Sequence, residues 1–474
     1  MKMRSTTLLL VALISVNSFS QSRRVAPGQA LKATDSPAPD RPAKDMYDEA
    51  NGYARIKFAE FEQKKLPYTD SLRTQILRER RQLAAKYAEI LSQRKNLSSD
   101  DVYFLGMLHW VAENLDGSVE ALRKYLGSAP PAEDKVQTAR SIIVVIAARH
   151  KNYEEAEKLL RDYLKASPTK LSERARMESE LAKAYLSDKN YAKATAHANE
   201  AYSSMKTIVS DPATRARGVD ELLDDGMLLF EAYRGSQKRD QADDTLQDMW
   251  SVGAAINSPT FYYYALDNLI KYMIETGRKP LALDTYALSL DRVAKDFPSR
   301  ETQSELIQKL KKREKQYKLL GETAPELEMI DQWFPGQKAA FAEMRGKVIF
   351  LDFWATWCAP CLEAFPSIKE WYQDFKGDGL VILGVTRYYG TAEGFPVDNP
   401  NEIAFFRRFK ASYGIPYDFV VIKDTATQRA FGATTLPTAV LIDKKGVIRF
   451  IDSGTSPTRL EEIRENIVKL LAEK

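Results

Sequence analysis

The chain has 474 residues but only two cysteines and three histidines. Both cysteines, Cys358 and Cys361, fall in one Cys-x-x-Cys, so none remains for a structural bridge and ordinary cores must hold the fold. Two thiols cannot close a tetrahedral zinc site, and His109, His150 and His197 all lie in the helical part of the chain, far from the cysteines, so no metal is expected. Charge of one sign is also missing. Lys and Arg number 69 against 65 Asp and Glu, a net of +4, which gives no basic patch of the kind that binds nucleic acid. The apolar stretch from Leu8 to Val16 is too short to span a bilayer. Aromatics are plentiful: six Trp, 23 Tyr and 20 Phe are enough for the cores of two or more domains.

Residues 1–20 read as a secretory signal, with basic Lys2 and Arg4, an apolar core and a Ser18-Phe-Ser20 cleavage site; the alternative is a retained anchor. No cysteine stands near that site, which excludes lipid attachment there. Periplasm or cell envelope is the expected location. Residues 21–45, rich in Pro, Ala and charge, read as a disordered linker.

Residues 46–320 are dominated by helix formers with apolar residues at helical spacing. Asn114, Asn152 and Asn190 stand 38 residues apart, with Leu115, Tyr153 and Tyr191 after them and Ser118, Ala156 and Ala194 in register. Upstream, Leu105-Gly106, Ile143-Val144 and Leu181-Ala182 superpose, and Pro130 and Pro168 close the first two units. This is the pattern of stacked helix-turn-helix hairpins, in which small residues let paired helices approach. Weaker units follow around Leu229, Tyr233 and Ala242, and around Ile270, Gly277 and Ala282. The segment resembles a tetratricopeptide array, which implies a groove for a peptide or partner protein; a spacer or dimerisation platform is the other reading. Composition and periodicity change at Gly321, where residues 321–474 open a second domain.

Gly346 to Trp354 reads as a buried strand, and the residues after Cys361 as a helix with Leu362, Phe365, Ile368, Trp371 and Tyr372 on one side. Strand feeding helix puts Cys358 at a helix N-terminus, where free N–H groups and the helix dipole favour a thiolate. Cys358 is therefore the expected nucleophile. Cys361, one turn on, is placed to resolve a mixed disulfide. Pro360 stiffens the turn between them, Pro366 is expected to kink the helix, and Trp357 shapes the surface on which a partner lands.

Trp357-Cys-Ala-Pro-Cys361, the preceding Phe353-Trp-Ala-Thr356, and Thr435-Leu-Pro-Thr438 followed by Ala439-Val-Leu-Ile-Asp443 and Gly446 resemble the thioredoxin fold, most of all the exported disulfide reductases of the TlpA/ResA kind. The expected architecture is thus an all-α helical repeat followed by an α/β thioredoxin fold. The resemblance implies that Pro437 is a cis-proline opposite the cysteines and that the Leu436 backbone pairs with an incoming peptide. It also implies protein disulfide substrates, no cofactor beyond the cysteine pair, and electrons from a membrane thiol reductase of the DsbD/CcdA type. Substrates would be misoxidised envelope proteins or apocytochromes awaiting haem in cytochrome c maturation.

Two departures matter. Those reductases carry a glutamate three residues after the second cysteine, where this chain has Ala364; adjacent Glu363 points about 100° away. Asp352, six residues before Cys358, stands where cytoplasmic thioredoxins keep a buried aspartate. The expectation is that the acid has moved from helix to strand and accepts the proton of Cys361; the alternative is that Asp352 caps a backbone group.

Ala-Pro between the cysteines, with no histidine, points to the reducing end of the range, near about −270 mV rather than about −120 mV. The long segment from Thr386 to Tyr417, with Arg387-Tyr-Tyr-Gly390 and Phe395-Pro-Val-Asp-Asn-Pro400, reads as substrate selection or as surface decoration. Leu351 and Ala355 stand at the Pro and Thr positions of Pro-x-x-x-Thr-x-x-Cys, which argues against a peroxidase. The rival function is a non-catalytic or redox-sensing scaffold that binds partners through the helical repeats.

Overall fold

The computed structural model describes residues 41–65, 69–128, 133–215, 218–336 and 340–473. The leader, most of the linker and Pro130 lie outside the described residues. Contacts divide the chain into two compact units, Met1–Met249 and Trp250–Lys474.

The first unit is helical: α1 (Ala43–Gln63), α2 (Asp70–Ser92), α3 (Ser99–Val111), α4 (Leu115–Leu126), α5 (Glu133–Arg149), α6 (Tyr153–Lys165), α7 (Leu171–Ser187), α8 (Tyr191–Ser210), the single turn α9 (Pro212–Arg215), α10 (Val219–Gly235) and α11 (Arg239–Ala255), within which the units divide. Helix α1 begins at Ala43, directly after Pro42, and so takes up the last residues of the expected linker.

The repeated asparagines are N-caps. Asn114, Asn152 and Asn190 accept from the amides of Gly117, Glu155 and Lys193 at 3.1, 3.4 and 3.3 Å, opening α4, α6 and α8. The residue before each asparagine is left-handed (Glu113, Lys151 and Lys189, φ 57 to 61), which turns the chain sharply enough to lay the second helix on the first. The small residues behave as the spacing implies. Ser118 Oγ donates to Gly106 O at 3.0 Å, and a Cβ on Gly106 would meet Leu122 at 2.7 Å, so α3 and α4 touch backbone to side chain.

The second unit opens with α12 (Pro259–Glu275), α13 (Lys279–Asp296) and α14 (Arg300–Leu319), then a mixed sheet with its own helices. Its strands are β1 (Ile330–Phe334), β2 (Val348–Phe353), β3 (Leu380–Arg387), the small hairpin β4 (Thr391–Ala392) and β5 (Phe395–Pro396), β6 (Asp418–Ile422), β7 (Thr438–Ile442) and β8 (Ile448–Ser453). The helices are α15 (Ala359–Phe375), α16 (Asn399–Ser412), α17 (Ala426–Ala430) and α18 (Pro457–Ala472). The main sheet has the order β1-β6-β3-β2-β7-β8, with β2, β3 and β6 parallel and the others antiparallel to their neighbours. This is the α/β thioredoxin-like fold that the motifs imply, preceded by helices.

The sheet's unit therefore begins well before the change of composition at Gly321. A buried ion cluster ties these helices to the sheet. Arg313 of α14 reaches Asp267 of α12 at 3.1 Å and Asp452 of β8 at 2.9 Å, and Lys271 adds 2.8 Å to Asp267. Burial alone would raise the Asp267 carboxyl, but the Arg313 and Lys271 charges overcome it and hold it well below its ordinary range. Residues after α14 continue onto the sheet edge: Gly321 N donates to Ile448 O at 2.8 Å and Ile448 N to Glu322 O at 2.9 Å. No helix among the described residues is long and apolar enough to cross a membrane.

Candidate active site

Strand β2 ends at Phe353, and the chain turns through Trp354 to Trp357 into α15 with Cys358 as its N-cap. The Cys361 and Leu362 amides return to Cys358 O at 3.0 and 3.2 Å, so the first turn of the helix closes directly on the cysteine. Pro360 costs nothing here, because a first-turn N–H has no intrahelical partner to lose. The helix runs on through Pro366. Its buried side chains, Cys361, Ala364, Phe365, Ile368 and Trp371, follow the spacing of one face.

The two sulfurs are joined, with Cα atoms 5.3 Å apart. In this oxidised form both cysteines are buried, Cys358 4% exposed and Cys361 1%. Trp357 beside it is 61% exposed, and Pro360 is also exposed. Register brings the distant segment to the same place: Phe353 pairs with Thr438, which sets Leu436 and Pro437 beside the turn that carries the cysteines. The Leu436–Pro437 bond is cis, Pro437 is buried, and Leu436 packs against the cluster that holds Cys358, Cys361 and Ala364.

Asp352 sits beneath this turn. Phe350, two residues earlier, meets Trp371 of α15 edge-on at 5.6 Å, and strand alternation puts Asp352 on that same side. Its neighbours across the sheet are Gly384 on β3 and Ala439 on β7, both too small to offer a counter-charge. It is fully buried, its Oδ2 has no hydrogen-bond partner among the described residues, and burial alone pushes its carboxyl up to about 7. The Tyr417 phenol is raised well above its ordinary range, first by burial and then by Asp352, and its oxygen is likewise unpartnered. A carboxyl in this setting can exchange a proton near neutral pH.

Comparison with known proteins fits this arrangement. Residues 320–451 match the model of the AhpC/TSA family. Over 148 residues the chain is 31% identical to the thiol-disulfide oxidoreductase ResA of Geobacillus thermodenitrificans, covering 31% of this chain and 76% of that protein. The chain belongs to the ResA thiol-disulfide oxidoreductase family. It is also 34% identical over 143 residues to protein DipZ of Mycobacterium bovis, covering 30% of this chain and 20% of DipZ. Among solved structures, a thiol-disulfide isomerase of Corynebacterium glutamicum is similar over 32% of this chain and 98% of that one, at 20% identity and a TM-score of 0.27.

As a member of that family the chain is a disulfide-exchange enzyme, and its departures can be placed. Ala364 is buried in the cysteine cluster, so the position of the missing glutamate faces the site, while Glu363 is exposed. Two of the histidines have partners within the helical unit: His109 Nδ1 lies 3.1 Å from Asn114, and His197 Nδ1 2.6 Å from Glu178.

Sequence reasoning missed the support under Trp357. Tyr389 meets the indole edge-on at 5.3 Å, and the Arg387 guanidinium lies 4.1 Å over the Tyr389 ring. Glu402 holds this turn in place. It is buried, and its two carboxylate oxygens accept from the Tyr389 and Gly390 amides at 2.9 Å each. A signal was present: Glu402 shares the apolar stripe of α16 with Phe406 and Phe409, and an acid in such a stripe needs buried partners. Phe395, at the tip beyond β4, is 72% exposed.

Proposed function

We propose that this oxidoreductase is an exported reductase of protein disulfides that works through the Cys358/Cys361 dithiol, with the helical unit recruiting a partner. The observation that carries the reading is the redox pair itself: Cys358 caps α15, with Cys361 one turn behind it and, on the strand below, the buried Asp352 carboxyl, whose Oδ2 has no hydrogen-bond partner among the described residues.

In the reduced protein the Cys358 thiolate attacks a substrate disulfide, forming a mixed disulfide and releasing one substrate thiolate. Asp352 takes the proton of Cys361. The Cys361 thiolate then attacks Cys358 Sγ, the Cys358–Cys361 bond forms, and the second substrate thiol leaves. The substrate gains two electrons and two protons, and a donor dithiol must return them to the enzyme; a membrane thiol reductase fits that role. Trp357, Pro360, Leu436 and Pro437 form the landing surface, with a substrate strand laid along the Leu436 backbone. The leader read in residues 1–20 supports export, and with export the fitting substrates are envelope proteins or apocytochromes.

Insulin reduction by the full-length protein tests this reading. Pre-reduced protein should lose two thiols per insulin disulfide cleaved, and a dithiol donor should make the reaction catalytic. A wild-type rate no faster than that of Cys358→Ser would overturn it.

A further inference from the structure

Helix α14 reaches into the site by a route that leaves no ambiguity about its direction. The buried side chain of Gln316 donates from Nε2 to Gly432 O at 3.3 Å and to Ser453 Oγ at 3.2 Å. Ser453 Oγ lies 2.7 Å from Thr438 Oγ1, and Thr438 Oγ1 lies 2.6 Å from Thr435 O. A hydroxyl carries one hydrogen, and a carbonyl only accepts. The Thr438 hydrogen therefore goes to Thr435 O, the Ser453 hydrogen must go to Thr438, and Ser453 is left to accept from Gln316.

The amide of Gln316 is oriented from behind in the same way. Its Oε1 accepts from Arg313 Nη1, and Arg313 can only donate, so Nε2 must face Ser453. Arg313 is itself held by Asp267 and by Asp452, the residue before Ser453. Close approach is built in at Gly432, whose φ is +64 and where a Cβ would come within 3.2 Å of Lys315 and 3.3 Å of Gln316. On the far side, Gly454 N donates to Pro437 O at 2.7 Å. The segment from Thr435 to Thr438 is thus tied to a helix that precedes the thioredoxin-like sheet.

We propose that Gln316 is a positioning residue for disulfide exchange, fixing through Ser453 and Thr438 the backbone at Leu436 and Pro437 on which a peptide substrate is laid. The inference rests on the reading of that backbone as the substrate edge. It gives α12 to α14 a part in the redox site that requires no ligand in a helical groove.

The relay governs peptides, which need the Leu436 edge, and not small disulfides, which need only the sulfur of Cys358. Steady-state kinetics of the full-length protein would be measured with a disulfide-containing peptide and with 5,5′-dithiobis(2-nitrobenzoate), for wild type, Gln316→Ala, Ser453→Ala, their double variant and Ser453→Thr. The expected result is a peptide KM raised about tenfold in either alanine variant, the scale of one lost buried hydrogen bond. Rates with the small disulfide should stay within about twofold. The double variant should be no worse than the poorer single one, since both break one chain, and Ser453→Thr, which keeps the hydroxyl, should match wild type. Unchanged peptide KM in both alanine variants would overturn the proposal, as would equal slowing of both substrates with a lowered thermal midpoint. A wild-type protein that reduces the small disulfide without saturating with the peptide would overturn the substrate edge itself, an outcome distinct from failure of the relay alone.

Discussion

Replacing Asp352 with asparagine should make the protein more stable, by an amount that grows with pH. The ordinary aspartate pKa is about 3.9, and burial lifts that of Asp352 to about 7. Between those values the native state keeps a proton that the unfolded chain has lost, so stability falls as pH rises, by about 1.4 kcal/mol for each unit. Over roughly three units the cost of the buried charge approaches about 4 kcal/mol, reached in full only above pH 7. A neutral amide in the same place carries no such cost. Denaturant midpoints of the oxidised wild type and Asp352→Asn, followed by tryptophan fluorescence at pH 4.5, 7 and 9, would measure it. The difference should be small at the lowest pH and largest at the highest. The same variant should resolve mixed disulfides more slowly at neutral pH, because Cys361 loses its proton acceptor. A stability difference that stays flat across this range would refute the reasoning, since it would mean that Asp352 is not buried as a titrating acid.

Arg313→Ala removes one of the cations held by Asp267 and Asp452 and leaves Lys271 on both and Arg459 on Asp452, so it should cost less than the roughly 3–5 kcal/mol of a fully orphaned buried charge, read as a lower denaturant midpoint. Glu402→Ala strips the Tyr389 and Gly390 amides of their acceptors; the turn under Trp357 should loosen, seen as changed indole fluorescence and a lower kcat/KM for peptide disulfides, with small disulfides unaffected. Asn152→Ala removes a helix cap and should lower helical stability by about 1 kcal/mol, measured by far-ultraviolet circular dichroism, while leaving thiol chemistry unchanged.

Legibility followed sequence distance. The asparagine period showed the hairpins because an N-cap and its helix are neighbours in sequence, and the strand, Cys-x-x-Cys and helix showed the redox turn for the same reason. Asp352 was legible as one acid in a continuous apolar run. The ion cluster was not. Asp267, Arg313 and Asp452 each look like an ordinary charge on a helix or strand edge, and only the fold brings them together. The same holds for Gln316, whose partners Gly432 and Ser453 lie more than a hundred residues on. Composition changes at Gly321 because strands begin there, but burial ignores that change, and the compact unit takes in three helices before it.

Disulfide exchange by this protein depends on Cys358 being a thiolate at the head of α15, and alkylation of the reduced protein with iodoacetamide across pH, mapped by mass spectrometry, decides whether it is. Modification should fall on Cys358 ahead of Cys361, with a midpoint below the 8.5 or so of a free thiol. A reduced protein whose Cys358 stays unmodified at neutral pH, or is modified only after Cys361, would be incompatible with that chemistry.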